Sequence, residues 1–303
     1  MKSKKIMEYS IIGLGVFLIT YLIVNAFSKK SKKANSILNQ KKPFVCSHIA
    51  AIEGGSKAEN NLNNIQKLLD NDIEMIEIDI QITKDNVPVL FHDNTLNAKT
   101  NGSGSISNLT WSQISGIRYK ADPTQGIAKL EDAIKLLKRS GKPTIFQLDK
   151  CDKYEIAKIS ALGLFKGVEK QMLAKALSFK PAEQIVSAGI LYMPMLPTSY
   201  VGRMTNEAVI NEIANNCKGS DFLEAQFSDS DTLFLNGTLS KKLEQVGCKL
   251  FIVAVGGVET TNSPSYRGDN QKQWAKMISP TGAKGIMTNR PLGLKKYISS
   301  LGN

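Results

Sequence analysis

The chain has 303 residues, 42% of them hydrophobic and 22% charged, with a formal net charge of +12 at pH 7. This length and apolar content suffice to bury a full core, as one large α/β barrel or as two ordinary domains. The first 42 residues contain nine lysines and one glutamate, so most of the excess positive charge lies there. The remaining basic residues are scattered and lack interleaved aromatic residues, which argues against nucleic acid as a partner.

The N-terminal segment has the pattern of a membrane anchor. An apolar run of 18 residues from Ser10 to Phe27 follows three lysines and precedes four more. This length just suffices for a helix that crosses a bilayer. We therefore predict a single-pass membrane anchor with a lysine-rich linker in residues 1–42, and a barrel domain in residues 43–303. The alternative is a cleaved signal peptide and secretion, with Val24 and Ala26 as the small residues before the cut.

After Lys42, strand-like and helix-like segments alternate along the chain. Strands are predicted at residues 44–48, 75–80, 87–92, 144–150, 189–195, 222–227, 249–255 and 285–288. Helices are predicted at residues 60–69, 130–139, 168–177, 206–217, 239–246 and 271–278. Eight strands in this rhythm are typical of an α/β fold of the TIM-type (β/α)8 barrel class. Only residues 81–86 separate the second and third strands. Because a crossover helix needs more residues, we expect an irregular barrel.

The stretch from Glu77 to Asp93 contains the densest set of chemically active side chains. Glu77 and Asp79 alternate with three isoleucines, so on a strand both carboxylates point to one face. The next apolar run ends at His92. Two acids near a strand end suit a hard cation such as Ca²⁺ or Mg²⁺, and a histidine beside them suits proton transfer.

The ends of the predicted strands give these residues a common location. Catalysis in TIM barrels takes place at the C-terminal ends of the strands. His48 ends the first predicted strand, Asp79 lies near the end of the second, His92 ends the third and Lys150 ends the fourth. The chain has two histidines in all. Since both fall at these positions, we predict that both are catalytic.

Three motifs resemble the glycerophosphodiester phosphodiesterase family: ENN from Glu59, EIDIQITKD from Glu77 and FHDNTLNAKTNGSGSISNLT from Phe91. A weaker resemblance continues to GIMTNRP near the C-terminus. The resemblance implies a metal-dependent phosphodiesterase that acts on glycerophosphodiesters or lysophospholipids. It also implies general acid and general base roles for His48 and His92, without deciding which is which, and places Glu59 among the substrate-binding residues.

The segment that ends at Lys150 departs from the family pattern. The family has Glu-x-Lys at the end of this strand, with the acid on the metal and the lysine on the phosphate, whereas Leu148 stands two residues before Lys150. We predict Asp149 as the third metal ligand, with Gln147 as the second choice, and Lys150 as a substrate-binding residue. Asp149 and Lys150 would face opposite sides of a regular strand, so a bulge would be needed to aim both inward.

The sequence departs from the family pattern at two further places, directly after His48 and near the C-terminus. Isoleucine and alanine follow His48 where the family has arginine and glycine. An alignment through residues 52–54 would remove the histidine, but the strand-like segment before His48 favours the first alignment. Near the C-terminus the family's T-D-x-P is replaced by a motif with Asn289, so an acid is lost. Arg290 is the candidate replacement for the missing phosphate-binding arginine.

Three functional interpretations remain open at this point. The first is a membrane-anchored, metal-dependent phosphodiesterase. The second is a catalytically weakened barrel that serves as a membrane-anchored binding or scaffold protein. The third is a sphingomyelinase D-like lyase, which would share the metal site and both histidines.

Overall fold

The computed structural model describes residue 37 and residues 40–53, 59–255 and 269–302. These residues form ten strands: β1 (Phe44–Ser47), β2 (Met75–Ile82), β3 (Pro88–Leu90), β4 (Ala128–Lys129), β5 (Ile145–Asp149), β6 (Met172–Ala176), β7 (Leu191–Pro194), β8 (Phe222–Ala225), β9 (Lys249–Val253) and β10 (Gly285–Thr288). Eight of them are parallel neighbours in the order β7-β6-β5-β2-β1-β10-β9-β8. A parallel bridge between Met195 and Glu224 joins the two ends of this path. The predicted TIM-type barrel is therefore present, nearly closed.

Two segments differ from the sequence prediction. The predicted strand at residues 87–92 is β3, which pairs antiparallel with β2 and lies outside the barrel. The predicted helix at residues 168–177 is wrong, because this segment contains β6, a central barrel strand paired with β5 and β7. The barrel thus has eight parallel strands, with β6 rather than β3 among them.

Helices lie between most of the barrel strands, as expected. In the described ranges they are α1 (Leu62–Asp70), α2 (Trp111–Ile114), α3 (Leu130–Ser140), α4 (Lys153–Ala161), α5 (Glu183–Ala188), α6 (Glu207–Asn216), α7 (Thr232–Leu235), α8 (Thr238–Gln245), α9 (Gln271–Thr281) and α10 (Pro291–Ser300). Local signals set several of their starts. Asn61 accepts a hydrogen bond from the Asn64 backbone N–H at the start of α1, and Asp152 and Glu155 form a capping box on α4.

The barrel interior is divided into an apolar end and a polar end. Side chains near the N-terminal ends of the strands form one buried apolar cluster, which includes Phe44, Met75 and Phe251. Gly285 lies among them, and a Cβ atom there would collide with the rings of Phe44 and Phe251. Polar side chains replace the apolar ones toward the C-terminal ends, which is where the predicted site residues lie.

A side extension with its own small core carries the second histidine. β3 and β4 pair antiparallel with each other beside the barrel. Their apolar side chains and those of the loop between them form a separate buried cluster that includes Phe91, Ile106 and Tyr119. His92 follows Phe91 directly, so this cluster holds the histidine next to the barrel mouth.

The predicted anchor, from Ser10 to Phe27, lies outside the described residues. Among the residues that are described, none of the helices combines the length and the apolar character that crossing a bilayer requires.

Candidate active site

Glu77 and Asp79 lie inside the barrel on β2. Met75 belongs to the interior apolar cluster, and Ile76, Ile78 and Ile80 pack outward against the helices. Alternation therefore turns Glu77 and Asp79 inward, where each is 1% exposed. This is the arrangement that the alternation of acids and isoleucines predicts.

β5 adds a third carboxylate at the same end of the barrel. Its residues pair in register with β2, so that Gln147 lies opposite Glu77 and Asp149 lies opposite Asp79. One oxygen atom from each of Glu77, Asp79 and Asp149 lies within 4.8 Å of the others. Carboxylate oxygens at this spacing suit a hard divalent cation. The structure thus brings together the three residues that we predicted as metal ligands.

The electrostatics of this cluster fit a cation. Burial, and then the charges of Asp79 and Asp149, raise the pKa of Glu77 well above its ordinary value. Burial also raises the pKa of Asp79, although His92 and the hydrogen bond from Asn60 act in the opposite direction. Buried carboxylates that repel one another are unfavourable unless positive charge compensates them. A divalent cation would supply that charge.

Two neighbouring backbone turns orient the acids on β2. The Nδ2 atom of Asn60 donates to Asp79 Oδ2 at 2.9 Å, and the Asp79 backbone N–H donates to Asn60 Oδ1 at 3.0 Å. The Ile49 backbone N–H donates to Glu77 Oε2. Both donors lie in left-handed turns, with φ values of 48° for Ile49 and 51° for Asn60. The middle residue of the ENN motif therefore holds Asp79 in place.

His48 follows the last residue of β1, as our preferred alignment requires. Its Nδ1 atom lies 2.9 Å from Asn289 Oδ1. Because the amide oxygen accepts, Nδ1 carries the hydrogen, and Nε2 is the ring nitrogen that can exchange a proton. Burial lowers the pKa of His48, and the Asn289 hydrogen bond and the charge of Asp79 partly offset this effect. Asn289, which stands where the family pattern has an acid, thus orients His48 without adding a charge.

His92 belongs to a second group of polar side chains. Its Nδ1 atom lies 2.8 Å from Asp93 Oδ1. The Nζ atom of Lys99 lies 3.1 Å from the same Asp93 oxygen and 2.5 Å from Glu59 Oε1. Against the effect of burial, the hydrogen bonds from His92 and Lys99 lower the pKa of Asp93. Glu59, which we predicted to bind substrate, is buried beside Lys99.

The two predicted basic residues lie at the edge of the site. β5 ends at Asp149, and Lys150 adopts a φ of 51°. The Lys150 side chain donates to the backbone carbonyl oxygen of His92. Arg290 is exposed at the start of α10, and its charge acts on Asp269, whose side chain accepts from the Asn289 backbone N–H at 2.7 Å. The structure therefore groups Lys150 with His92 and leaves Arg290 on the surface.

Sequence reasoning missed two charged residues inside the barrel. Lys175 on β6 has its Nζ atom 2.6 Å from Asp149 Oδ2 and 3.7 Å from Glu224 Oε1 on β8. Burial raises the pKa of Glu224, and Lys175 partly offsets this rise. The signal that could have found them is the position of one charge near the end of each short apolar strand, in LAKA and FLEA.

A cavity of about 720 Å³ opens beside the carboxylates. Asp149 and Lys175 line it, together with residues of the segments that follow β5 and β6. Its walls combine charged side chains, among them Lys150, Lys153 and Lys180, with a larger apolar surface from residues such as Leu177, Ile185 and Tyr192. An organic group attached to a phosphate at the carboxylates could occupy this space.

Residues 52–177 match the model of the Glycerophosphoryl diester phosphodiesterase family. This match confirms the resemblance that the sequence motifs predict over these residues. Glycerophosphodiester phosphodiesterase 1 of Rattus norvegicus is 33% identical over 123 residues, which are 38% of this chain and 37% of the rat protein. The chain thus spans little more than a third of the length of that relative.

Three further proteins resemble the chain over a greater length at lower identity. Lysophospholipase D GDPD1 of Rattus norvegicus is 22% identical over 95% of this chain and 96% of its own length. A glycerophosphoryl diester phosphodiesterase structure from Parabacteroides distasonis has a TM-score of 0.63 at 22% identity and covers 89% of this chain and 93% of its own. A phosphodiesterase from Oleispira antarctica, solved in complex with the product sn-glycerol-3-phosphate, has a TM-score of 0.58 at 16% identity and covers 86% of this chain and 98% of its own. The two solved structures share the barrel fold of this chain.

Proposed function

We propose that this protein is a divalent-cation-dependent phosphodiesterase that hydrolyses glycerophosphodiesters. The observation that carries the proposal is the cluster of Glu77, Asp79 and Asp149 at the barrel end where both histidines lie. The match of residues 52–177 to the phosphodiesterase family model supports the reaction class. The product complex of the Oleispira antarctica neighbour supports a glycerol phosphate product.

Three carboxylates would hold the cation in this proposal. Ca²⁺ or Mg²⁺ on Glu77, Asp79 and Asp149 would supply Lewis-acid stabilisation of negative charge on the phosphoryl group. The contribution of the chain itself is orientation. Asn60 and the Ile49 backbone N–H fix the two acids of β2, so little rearrangement is needed when a cation binds.

We assign His48 as the general base and His92 as the general acid. Burial lowers the pKa of His48, which keeps its ring neutral and able to take a proton from the attacking water at Nε2. Asp93 accepts from His92 Nδ1 and so orients the ring. His92 would then donate its Nε2 proton to the leaving alkoxide as the bond between phosphorus and that oxygen breaks.

An assay in isotopically labelled water tests this function. The full chain is incubated with glycerophosphocholine and glycerophosphoethanolamine, with Ca²⁺, with Mg²⁺ or with a chelator, in H₂¹⁸O. We expect cation-dependent release of glycerol phosphate that carries one ¹⁸O atom. A cyclic phosphate without the label would indicate the lyase reaction instead. Binding of cation and diester without turnover of any substrate would favour the scaffold interpretation.

Lysophospholipids are a second candidate substrate class. The apolar walls of the cavity beside Asp149 and Lys175 favour a substrate with a hydrocarbon chain, and the resemblance to a lysophospholipase D over 95% of the chain points the same way. A higher kcat/KM for lysophosphatidylcholine than for glycerophosphocholine would support this assignment. Equal values for the two substrates would contradict it.

We also propose that residues 1–42 anchor the protein to a membrane through the apolar run from Ser10 to Phe27. The support is the length of this run and its flanking lysines. A chain that starts at Lys41 should then be soluble and monodisperse, with unchanged turnover of a soluble diester, while the full chain fractionates with membranes. Aggregation or loss of turnover in the shortened chain would show that the barrel includes earlier residues.

A further inference from the structure

β5 has no lysine that faces the barrel interior. Its inward positions are Gln147 and Asp149, as the register with Glu77 and Asp79 shows. Lys150 follows the end of the strand, is exposed, and donates to the His92 carbonyl oxygen. A phosphate at the carboxylates therefore meets no buried positive charge from this strand.

The neighbouring strand supplies that charge. On β6, Leu173 faces the interior cluster, while Ala174 packs outward, so Lys175 points inward beside Asp149. Its side chain is only 10% exposed, with Nζ 2.6 Å from Asp149 Oδ2. The carboxylate of Glu224 on β8 faces the same ammonium group at 3.7 Å.

We propose that Lys175 is the phosphate-binding cation of this site, contributed by β6 in place of a lysine on β5, and that it shares Asp149 with the divalent cation. This inference rests on the proposed function, in that the ligand is a phosphate ester. Lys175 lines the same cavity as Asp149, so a phosphate there can contact the ammonium group. Lysine commonly binds phosphate as a point charge.

The hydrogen-bonding capacity of Lys175 leaves room for a phosphate oxygen. An ammonium group has three N–H donors. One is directed at Asp149 Oδ2, at 2.6 Å, and a second faces Glu224 Oε1, at 3.7 Å. The third donor can then contact the phosphate. Asp149 can serve two cations because an ionised carboxylate offers about four lone-pair positions on its two oxygens.

Glu224 acts as a positioning residue for Lys175. It is buried on β8, 3% exposed, and its Oε2 atom completes no hydrogen bond within the described part of the chain. Lys175 is therefore held between Asp149 on the adjacent strand β5 and Glu224 on β8, which lies two strands away on the other side of β6. If a divalent cation binds Asp149 and weakens its attraction for Lys175, Glu224 would still hold Lys175 at the site.

Four variants of the full chain test this proposal: Lys175→Gln, the double variant Lys175→Gln with Glu224→Gln, Lys150→Gln and Lys170→Gln. Calorimetry gives the Kd for the cation alone, and the Kd for sn-glycerol 3-phosphate in saturating Ca²⁺. The melting temperature is measured without ligand. Lys170 is the matched control, because it lies just before the N-terminal end of β6, away from the carboxylates. Its Nζ atom donates to the carbonyl oxygen of Gly189, which precedes β7.

We expect Lys175→Gln to weaken sn-glycerol 3-phosphate binding by about 10-fold or more, the usual scale for a lost hydrogen bond to a charged group. Cation affinity should be retained or increased, because Lys175 no longer competes for Asp149. The double variant should recover the melting temperature, since Glu224 is no longer a buried carboxylate without a cation, but should not recover phosphate binding. Lys170→Gln should bind like the wild type.

Three outcomes would overturn the proposal. They are wild-type phosphate affinity in Lys175→Gln, recovery of that affinity in the double variant, and a larger loss in Lys150→Gln than in Lys175→Gln. A failure of the proposed function is distinguishable from these. The wild type could turn over no diester while Lys175→Gln still loses the binding of glycerol phosphate that the wild type shows. This result would refute the catalytic function and leave the assignment of Lys175 intact.

Discussion

Within the described part of the chain, two clusters each bring together three side chains that could hold a metal ion, and the clusters differ in charge compensation. The barrel cluster consists of Glu77, Asp79 and Asp149, and the loop cluster of Glu59, His92 and Asp93. In the loop cluster, Lys99 contacts both acids, at 2.5 and 3.1 Å. In the barrel cluster, the contact from Lys175 is to Asp149.

The pKa directions follow this difference. Burial raises the pKa values of Glu77 and Asp79 in the barrel cluster, whereas His92 and Lys99 lower the pKa of Asp93 in the loop cluster despite burial. Proximity of carboxylates is therefore insufficient to predict a cation site. The barrel cluster, in which the pKa values of Glu77 and Asp79 stay raised although Lys175 lies beside Asp149, is the one that we propose as the divalent-cation site.

The largest expected effect is the loss of cation binding and turnover when the barrel cluster, but not the loop cluster, is mutated. Glu77→Ala or Asp79→Ala should abolish binding of Ca²⁺ or Mg²⁺ and reduce turnover to background, because each removes a ligand from the barrel cluster. Glu59→Gln should retain cation binding, because Lys99 already occupies the loop cluster. Calorimetry and the shift in melting temperature on adding Ca²⁺ check both expectations. Wild-type stabilisation by Ca²⁺ in both barrel variants would contradict this comparison.

The next largest effect concerns proton transfer by the two histidines. His48→Ala and His92→Ala should each reduce turnover by roughly 100-fold or more, the usual scale of general acid–base catalysis. The double variant should lose little more than either single one, since both groups act on one transition state. Cation binding should remain in all three, and the wild type should show a bell-shaped pH profile of kcat/KM. Near-wild-type turnover of His48→Ala would show that the alignment through His48 is wrong.

A smaller loss of cation affinity is expected when the residue that orients Asp79 is removed. Asn60→Ala removes both the donor to Asp79 Oδ2 and the acceptor for its backbone N–H. Loss of such a supporting residue typically weakens metal binding by about 10- to 100-fold. Asn71→Ala is the matched control, because Asn71 lies at the other end of α1 and donates to the exposed Lys67 carbonyl oxygen. Equal cation affinities in the two variants would show that Asn60 does not orient Asp79.

The smallest effect is a change in how stability depends on pH. Because the pKa values of Glu77 and Asp79 are raised, the native state holds protons that the unfolded chain has released. Without a divalent cation, stability should fall as the pH rises from ordinary carboxylate values through these raised values. Saturating Ca²⁺ should remove or reverse the fall. Melting temperatures in chelator and in Ca²⁺ check this, and parallel curves would contradict it.

Much of the fold could be predicted because the signals were local. The alternation of acids and isoleucines on β2 and the strand that ends at His48 both predict the observed geometry. β6 could not be predicted, since VEKQMLAKAL is rich in residues with high helix propensity and only burial in the barrel favours a strand. The misassignment of this strand concealed Lys175. The antiparallel pairing of β3 was not predicted, because residues 87–92 were counted among the barrel strands although the connection from β2 is too short for a parallel crossover.

The supporting contacts of the site depend on residues far apart in the sequence. Asn289 orients His48 across 241 positions, and Lys175 meets Glu224 from a different strand. No local pattern reports such pairs. The identities of the predicted metal ligands and histidines came from spacing and resemblance, whereas their orienting partners became visible only with the barrel.

The pairing of the first barrel strand with the last has a consequence for biosynthesis. β2 and β5 carry the three acids and can pair as soon as residue 149 has left the ribosome. β1 acquires its partner β10 only when residues 285–288 have emerged, and Asn289 follows immediately. A nascent chain that stops short of this point would have its acidic pocket assembled while the ring of His48 still lacked its orienting amide. The ring of His48 therefore gains its orienting amide later in translation than the point at which Glu77, Asp79 and Asp149 have all been synthesised.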